Sequence, residues 1–277
     1  MMKHSFLSLL PLMLLVACSR APKVAESVPT DTPPRILSFA PAATESLFFV
    51  GLGPYVVGRS PFCDTPEDAR TLPVVGDMRS FDEAAIVSTK ATHAIVSSDS
   101  NSVVPFLESL GVQVIRSTSL TDTDVIDFLR VLGETFPAYT NGVYDAWLAE
   151  YRSLDVRAPA GLRAALILDT PEGPRQDCMA AGCRSYYDAL LSQVGLENLY
   201  ADFNGFASVS PEALLAKHPD VLFVVGFDRD ADAIASDWGA WMGTATRVVP
   251  LCESWAFRPG PRMTELKKAM LQAAARY

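Results

Sequence analysis

Apolar runs of strand type alternate with helical segments in two separate series, and between them lies a stretch, Asp122 to about Asp155, with no strand signal. The first series contains Arg35–Phe39, Tyr55–Gly58, Ala94–Ser97 and Val112–Ile115; the second contains Ala164–Leu168, Val221–Val225 and Arg247–Leu251. Strands that alternate with helices pair in parallel, because each crossover returns the chain to the same end of the sheet. Two such series predict an α/β fold of two lobes, each with a mostly parallel sheet. A chain of 277 residues, 49% of them hydrophobic, has enough apolar material for a core in each lobe. Its net charge of −9, without a Lys/Arg block, argues against binding a phosphate backbone.

The connecting segments sharpen this picture. Pro41 ends the first strand and opens a helix that Gly51 and Gly53 stop. Ser80-Phe81-Asp82-Glu83 has the form of a capping box, opening a helix from Asp82 to Thr89. In the strand-free middle, Gly133 and Pro137 divide one helix ending near Glu134 from a longer one at Ala138 to about Leu154. That long helix joins the lobes as a backbone. The expected boundaries are 35–120 for the N-terminal lobe, 121–160 for the linking helices and 161–277 for the C-terminal lobe. The second series has further helices at Ser185–Val194, Pro211–Lys217, Asp230–Trp241 and from Met263 onward. Asp169–Cys183 and Cys252–Arg262 are expected as loops.

The N-terminus carries an address. Lys3 and His4 precede an almost wholly apolar run, Phe6–Val16, too short to span a bilayer and suited to the core of a secretory signal. Leu15-Val16-Ala17-Cys18 resembles a bacterial lipobox, which implies removal of residues 1–17 and a lipid on Cys18. The polar, proline-bearing residues 18–34 then form a flexible tether. The implied location is the periplasm or cell envelope, with the membrane touched only through the lipid. Four cysteines follow in what would be an oxidising compartment, and they could pair in three ways. Cys178 and Cys183 are close in sequence around Gly182, whose freedom to adopt a left-handed conformation would let that loop close. They are the expected disulfide, with Cys63 and Cys252 free.

The chain resembles the helical-backbone class of periplasmic substrate-binding proteins, which serve ABC importers of vitamin B12, ferric siderophores and haem. The resemblance is carried in order by Ile36–Glu45, by Tyr55–Gly58 running to Cys63-Asp64-Thr65-Pro66, and most strongly by Val209–Asp220. It implies a monomer with a ligand cleft between the lobes, no cofactor, and an ABC permease as partner. The implied ligand is a corrinoid, vitamin B12 or cobinamide; a ferric siderophore or haem is the alternative. Position by position, the family's cleft pattern falls on Ala42, Phe62, Met78, Ser97, Met179, Phe206, Ser254 and Arg258. The corrinoid-binding branch has Trp at the positions of Met78, Ser97 and Phe206 and Asp at that of Ser254, so the wall here is thinner. The resemblance also places a permease-docking acid at the start of one helix in each lobe: Glu212, and Asp82 or Glu83.

The residues themselves support a flat-ligand cleft. Phe62, Phe206, Trp255 and Phe257 stand near Pro and Gly rather than at helical spacing, and aromatic faces suit a macrocycle. Met78 and Met179 adapt to irregular surfaces. Arg258 and Arg262 could meet carboxylate, phosphate or hydroxamate groups. Chemistry-bearing motifs are missing: there is no GxSxG, Walker A or HExxH, and three His without a CxxC do not suggest a zinc centre. An enzyme is therefore not expected. His93 and His218 read as structural.

Overall fold

The computed structural model describes residues 32–97, 102–118, 120–154, 159, 161–170, 172–226 and 229–277. The signal segment, Cys18 and nearly all of the tether lie outside them. The described chain from Pro34 onward forms one compact unit. It holds two sheets.

The first sheet has the order β2-β1-β3-β4, with β1 at Ile36–Ser38, β2 at Val56–Arg59, β3 at His93–Ser97 and β4 at Gln113–Ser117. Every pairing in it is parallel. Helices α1 (Pro41–Phe49), α2 (Glu83–Thr89) and α3 (Val104–Ser109) make the crossovers. Pro41 sits at the first turn of α1, where its missing N–H is no loss. Gly58 is required on β2 because a Cβ there would press on Leu37 and Val75 at 2.8 and 2.9 Å.

The linking segment is two helices, α4 (Asp122–Thr135) and α5 (Val143–Ser153). Thr121 and Asp124 form a capping box at the start of α4. Val125, Phe128, Leu129 and Leu132 then bury one face, at the i, i+3, i+4, i+7 spacing of an amphipathic helix. The helix expected from Ala138 starts only at Val143, so α4 is the longer of the two. Pro137 and a left-handed Gly142 keep the intervening turn out of helix.

The second sheet comprises β5 (Arg163–Leu168), β6 (Cys178–Ala181), the short β7 (Glu197–Asn198), β8 (Phe206–Val209), β9 (Val221–Val225) and β10 (Arg247–Leu251). Its main path is β10-β9-β5-β6-β8, and β7 pairs with β5. The β5, β7, β9 and β10 pairings are parallel. Strand β6, expected as loop, is antiparallel to both β5 and β8. Helices α6 (Tyr186–Gln193), α7 (Pro211–Ala216), α8 (Ala231–Met242) and α9 (Met263–Ala274) complete the lobe.

One core runs through both lobes. Leu47 of α1 and Val50 just after it, Leu129 and Leu132 of α4, Trp147 of α5, Leu190 of α6 and Met270 of α9 join strand residues from both sheets in a single buried cluster. The outer faces of the two sheets have clusters of their own. Within the shared core, Lys267 is fully buried on α9. Its Nζ donates to Gln193 Oε1 at 2.9 Å and lies 4.1 Å from the centre of the Tyr151 ring. Asp122 accepts from Tyr151 Oη and Gln193 Nε2 at 3.0 and 2.6 Å. A buried charge is tolerated only when satisfied in this way, and the network ties α4, α5, α6 and α9 together. Among the described residues no helix is long and apolar enough to cross a membrane.

Two local expectations are corrected. Asp82, not Ser80, caps α2, accepting from Ala85 N–H at 2.9 Å. Ser80 is held elsewhere, its N–H donating to Asp77 Oδ1 and its carbonyl accepting from Asp77 N–H, each at 2.8 Å. All four cysteines past Cys18 are free, so the Cys178–Cys183 disulfide is not formed. Cys178 begins β6, and the extended strand carries Cys183 away, toward its bridge with Asn204. Gly182 is not left-handed; it is required because a Cβ there would collide with the Phe203 carbonyl.

Candidate ligand cleft between the lobes

The loops that leave the C-terminal ends of β2 and β10 meet across the lobes. Arg59 builds the first of them. Its buried guanidinium donates to the carbonyls of Ser60, Pro61 and Arg70 at 3.0, 3.3 and 3.0 Å, folding residues 60–71 around it. Cys63 is buried beneath, its thiol 3.2 Å from Ser60 Oγ and 3.6 Å from the Ser38 carbonyl. With its neighbours pinned inward, Phe62 is left 63% exposed.

The second loop, 252–262, is anchored by Trp147 Nε1 donating to the Pro261 carbonyl at 2.7 Å and by Tyr187 Oη donating to the Ala256 carbonyl at 2.8 Å. It carries Ser254, Trp255 and Arg258; Trp255 packs against the shared core. Arg258 Nη2 pairs with Asp64 Oδ1 at 2.7 Å, and its Nη1 donates to Thr65 Oγ1 at 2.6 Å. Arg262 makes a two-point contact with Glu45 of α1, at 2.6 and 2.9 Å, and also donates to Ser254 Oγ at 2.7 Å. Both arginines thus link one lobe to the other. Partial burial raises the Asp64 pKa, but the hydrogen bond and charge of Arg258 outweigh it and hold the carboxyl below its ordinary value. The Glu45 hydrogen bond leads the causes that raise the Arg262 pKa.

The remaining sequence-derived positions fall into two groups. In the first lobe, Ser97 at the end of β3 donates to Met78 Sδ at 3.2 Å, and Ser102 donates to the Met78 carbonyl. Ala42 lies at the start of α1, with Gly260 packed close to its carbonyl oxygen. In the second lobe, β6 and β8 pair so that Met179 faces Ser208 and Ala181 faces Phe206. Met179 and Phe206 therefore share one sheet face, where they are 40% and 43% exposed, while Cys178, Ala180, Ala207 and Val209 fill the core side. Phe206 stands edge-on to Tyr187, with ring centres 6.2 Å apart. This ring contact and the Tyr187–Ala256 hydrogen bond connect the β6/β8 face to the 252–262 loop. No metal-binding cluster of His, Cys, Asp or Glu occurs among the described residues.

The three docking candidates are all exposed: Asp82 and Glu83 at the start of α2, Glu212 at the start of α7, where Ser210 is the cap. Sequence reasoning did not single out Glu45, Asp64, Thr65, Arg59 or Tyr187 as individuals. Asp64 and Thr65 lie inside the Cys-Asp-Thr-Pro motif, and Glu45 closes the first family segment. Nothing local marks Arg59 or Tyr187, because their partners are backbone carbonyls.

Two lobes with mostly parallel sheets, a helical link and strand-end loops that meet across the lobes define a periplasmic binding protein fold. The chain belongs to the periplasmic binding protein family, whose model matches residues 36–244. It is 28% identical over 245 residues to the vitamin B12-binding protein of Salmonella typhimurium, covering 87% of this chain and 90% of that protein. It is 24% identical over 241 residues to the vitamin B12-binding protein of Pectobacterium atrosepticum, covering 83% and 85%. Among solved structures, the periplasmic vitamin B12-binding protein of Vibrio cholerae superposes with a TM-score of 0.69 at 24% identity, covering 87% of this chain and 96% of that one. The periplasmic heme-binding protein of Vibrio cholerae superposes with a TM-score of 0.71 at 20% identity, covering 89% and 100%.

Proposed function

We propose that this protein is the substrate-binding component of an ABC importer, that it captures a corrinoid between its lobes, and that it acts by binding rather than catalysis. The observation that carries this reading is a set of well-exposed apolar side chains on both lobes: Phe62 in the loop after β2, and Met179 and Phe206 on the β6/β8 face. Large exposed aromatics held on fixed elements cost solvation unless a ligand covers them, and a flat macrocycle has the area to cover several such side chains. The relatedness to vitamin B12-binding proteins supports the corrinoid class. Ala42, Met78, Ser97, Ser254, Trp255 and Arg258 complete the proposed cleft. Glu212 and the Asp82/Glu83 pair are the proposed contacts with the permease. A lipid on Cys18 would hold the protein at the membrane as a monomer, delivering its ligand without a cofactor.

Calorimetric titration with cyanocobalamin and with dicyanocobinamide tests the ligand class. One corrinoid per chain is expected. The likeness to heme-binding proteins favours a second reading, haem or a ferric siderophore in the same cleft. Heat with haemin or a ferric hydroxamate, and none with either corrinoid, would select it.

A further inference from the structure

We infer that Asp64 is a specificity-determining residue: by holding Arg258, it keeps the cleft from offering a guanidinium to anionic ligands. The inference rests on the proposed cleft and narrows what that cleft accepts. The 252–262 loop carries two arginines, which from sequence alone are natural partners for propionate, phosphate or hydroxamate oxygens. In the structure neither is available. Arg258 is committed to Asp64 Oδ1 and Thr65 Oγ1, and Arg262 to both oxygens of Glu45 and to Ser254. The acids come from the opposite lobe, so the neutralisation is built into the apposition of the lobes rather than into one flexible loop. Exposed Glu253, on the same loop, adds a third carboxylate against two cations. A ligand bringing its own anion would have to displace Asp64 from a charge-assisted pair before gaining Arg258. It would also meet an excess of negative charge. A ligand whose periphery is amide or hydroxyl has no such conflict.

The test uses three probes that differ in anionic groups. Dicyanocobinamide has no phosphodiester, cyanocobalamin has one, and haemin has two propionates. Affinities are measured at low salt for the wild type, Asp64→Asn and Asp64→Ser. Asp64 is 40% exposed, so neither change threatens the fold. Haemin affinity should rise about tenfold in both variants, which corresponds to about 1.4 kcal/mol. Cyanocobalamin should gain less, and dicyanocobinamide should change less than twofold. The haemin gain should vanish in Asp64→Asn/Arg258→Gln and shrink at high salt. An equal change for all three probes, no measurable haemin binding to the variants, or a gain that survives loss of Arg258 would overturn the inference. If wild type binds neither corrinoid, the proposed ligand class fails, while the haemin comparison still decides the role of Asp64.

Discussion

Phe62 and Phe206 separate a binding role from a packing role cleanly, because neither is buried. Surface substitutions usually change stability by no more than about 0.5 kcal/mol, and Phe62 and Phe206 are 63% and 43% exposed. Losing an aromatic contact to a bound ligand costs about 1–3 kcal/mol. Phe62→Ala and Phe206→Ala should therefore each weaken corrinoid binding by that amount, as read by calorimetry, with melting temperatures close to wild type. A drop in melting temperature with unchanged affinity would assign both to the scaffold. His93 is structural. Burial pushes its imidazole pKa below the ordinary 6.5, against a hydrogen bond to Gln113 that favours the charged ring, and the ring packs edge-on to Phe136 with centres 4.8 Å apart. Above pH 6.5 the ring is neutral whether the chain is folded or unfolded. As pH falls below that, the unfolded chain takes up the proton first, so stability should decline from pH 6.5 down through the folded-state pKa. Denaturant midpoints at pH 7.5 and 5.5 should differ less in His93→Gln than in wild type.

Element termini carry the docking proposal. Glu212 follows the Ser210 cap of α7, so its own carboxylate is free of a capping duty. Glu212→Lys should leave folding and ligand affinity nearly intact while abolishing uptake by the reconstituted importer; normal uptake would remove the assignment. In α2 the roles divide. Asp82 is the cap, and its loss should cost about 0.5–2 kcal/mol in denaturant unfolding. Glu83 is exposed beside it and better placed for a partner, so Glu83→Lys should impair uptake with little loss of stability. The same scale shows what the sequence could reveal. Strand β9 was legible to the residue, because a strand buried on both faces is a continuous apolar run bounded by turns; β10 was legible too, although it is a half-buried edge strand that contains Pro250. Strand β6 was not, since Cys-Met-Ala-Ala is short and its antiparallel partners are distant in sequence. Missing it made the Cys178–Cys183 disulfide look geometrically easy. The arginines of the 252–262 loop were legible as functional residues, but their engagement by Glu45 and Asp64 depends on contacts that no local pattern encodes.

At the scale of the molecule, the shared core limits motion. A cluster that includes α1, α4, α5, α6, α9 and strands of both sheets cannot shear without exposing packed side chains, and the Asp122–Tyr151–Gln193–Lys267 network resists the same displacement. The two arginine bridges already tie the 252–262 loop to the other lobe, Arg258 to the loop after β2 and Arg262 to α1. Ligand capture should thus proceed with only a small closure. Small-angle scattering curves with and without ligand should nearly superpose, and a large domain rotation would refute this. The central claim, that the cleft is a corrinoid site, is tested most directly by native mass spectrometry of the protein against an equimolar mixture of cyanocobalamin, dicyanocobinamide, haemin and a ferric hydroxamate. The account predicts one corrinoid per chain as the dominant complex. A dominant haem or iron–hydroxamate complex, or a spectrum of unliganded protein alone, would contradict it.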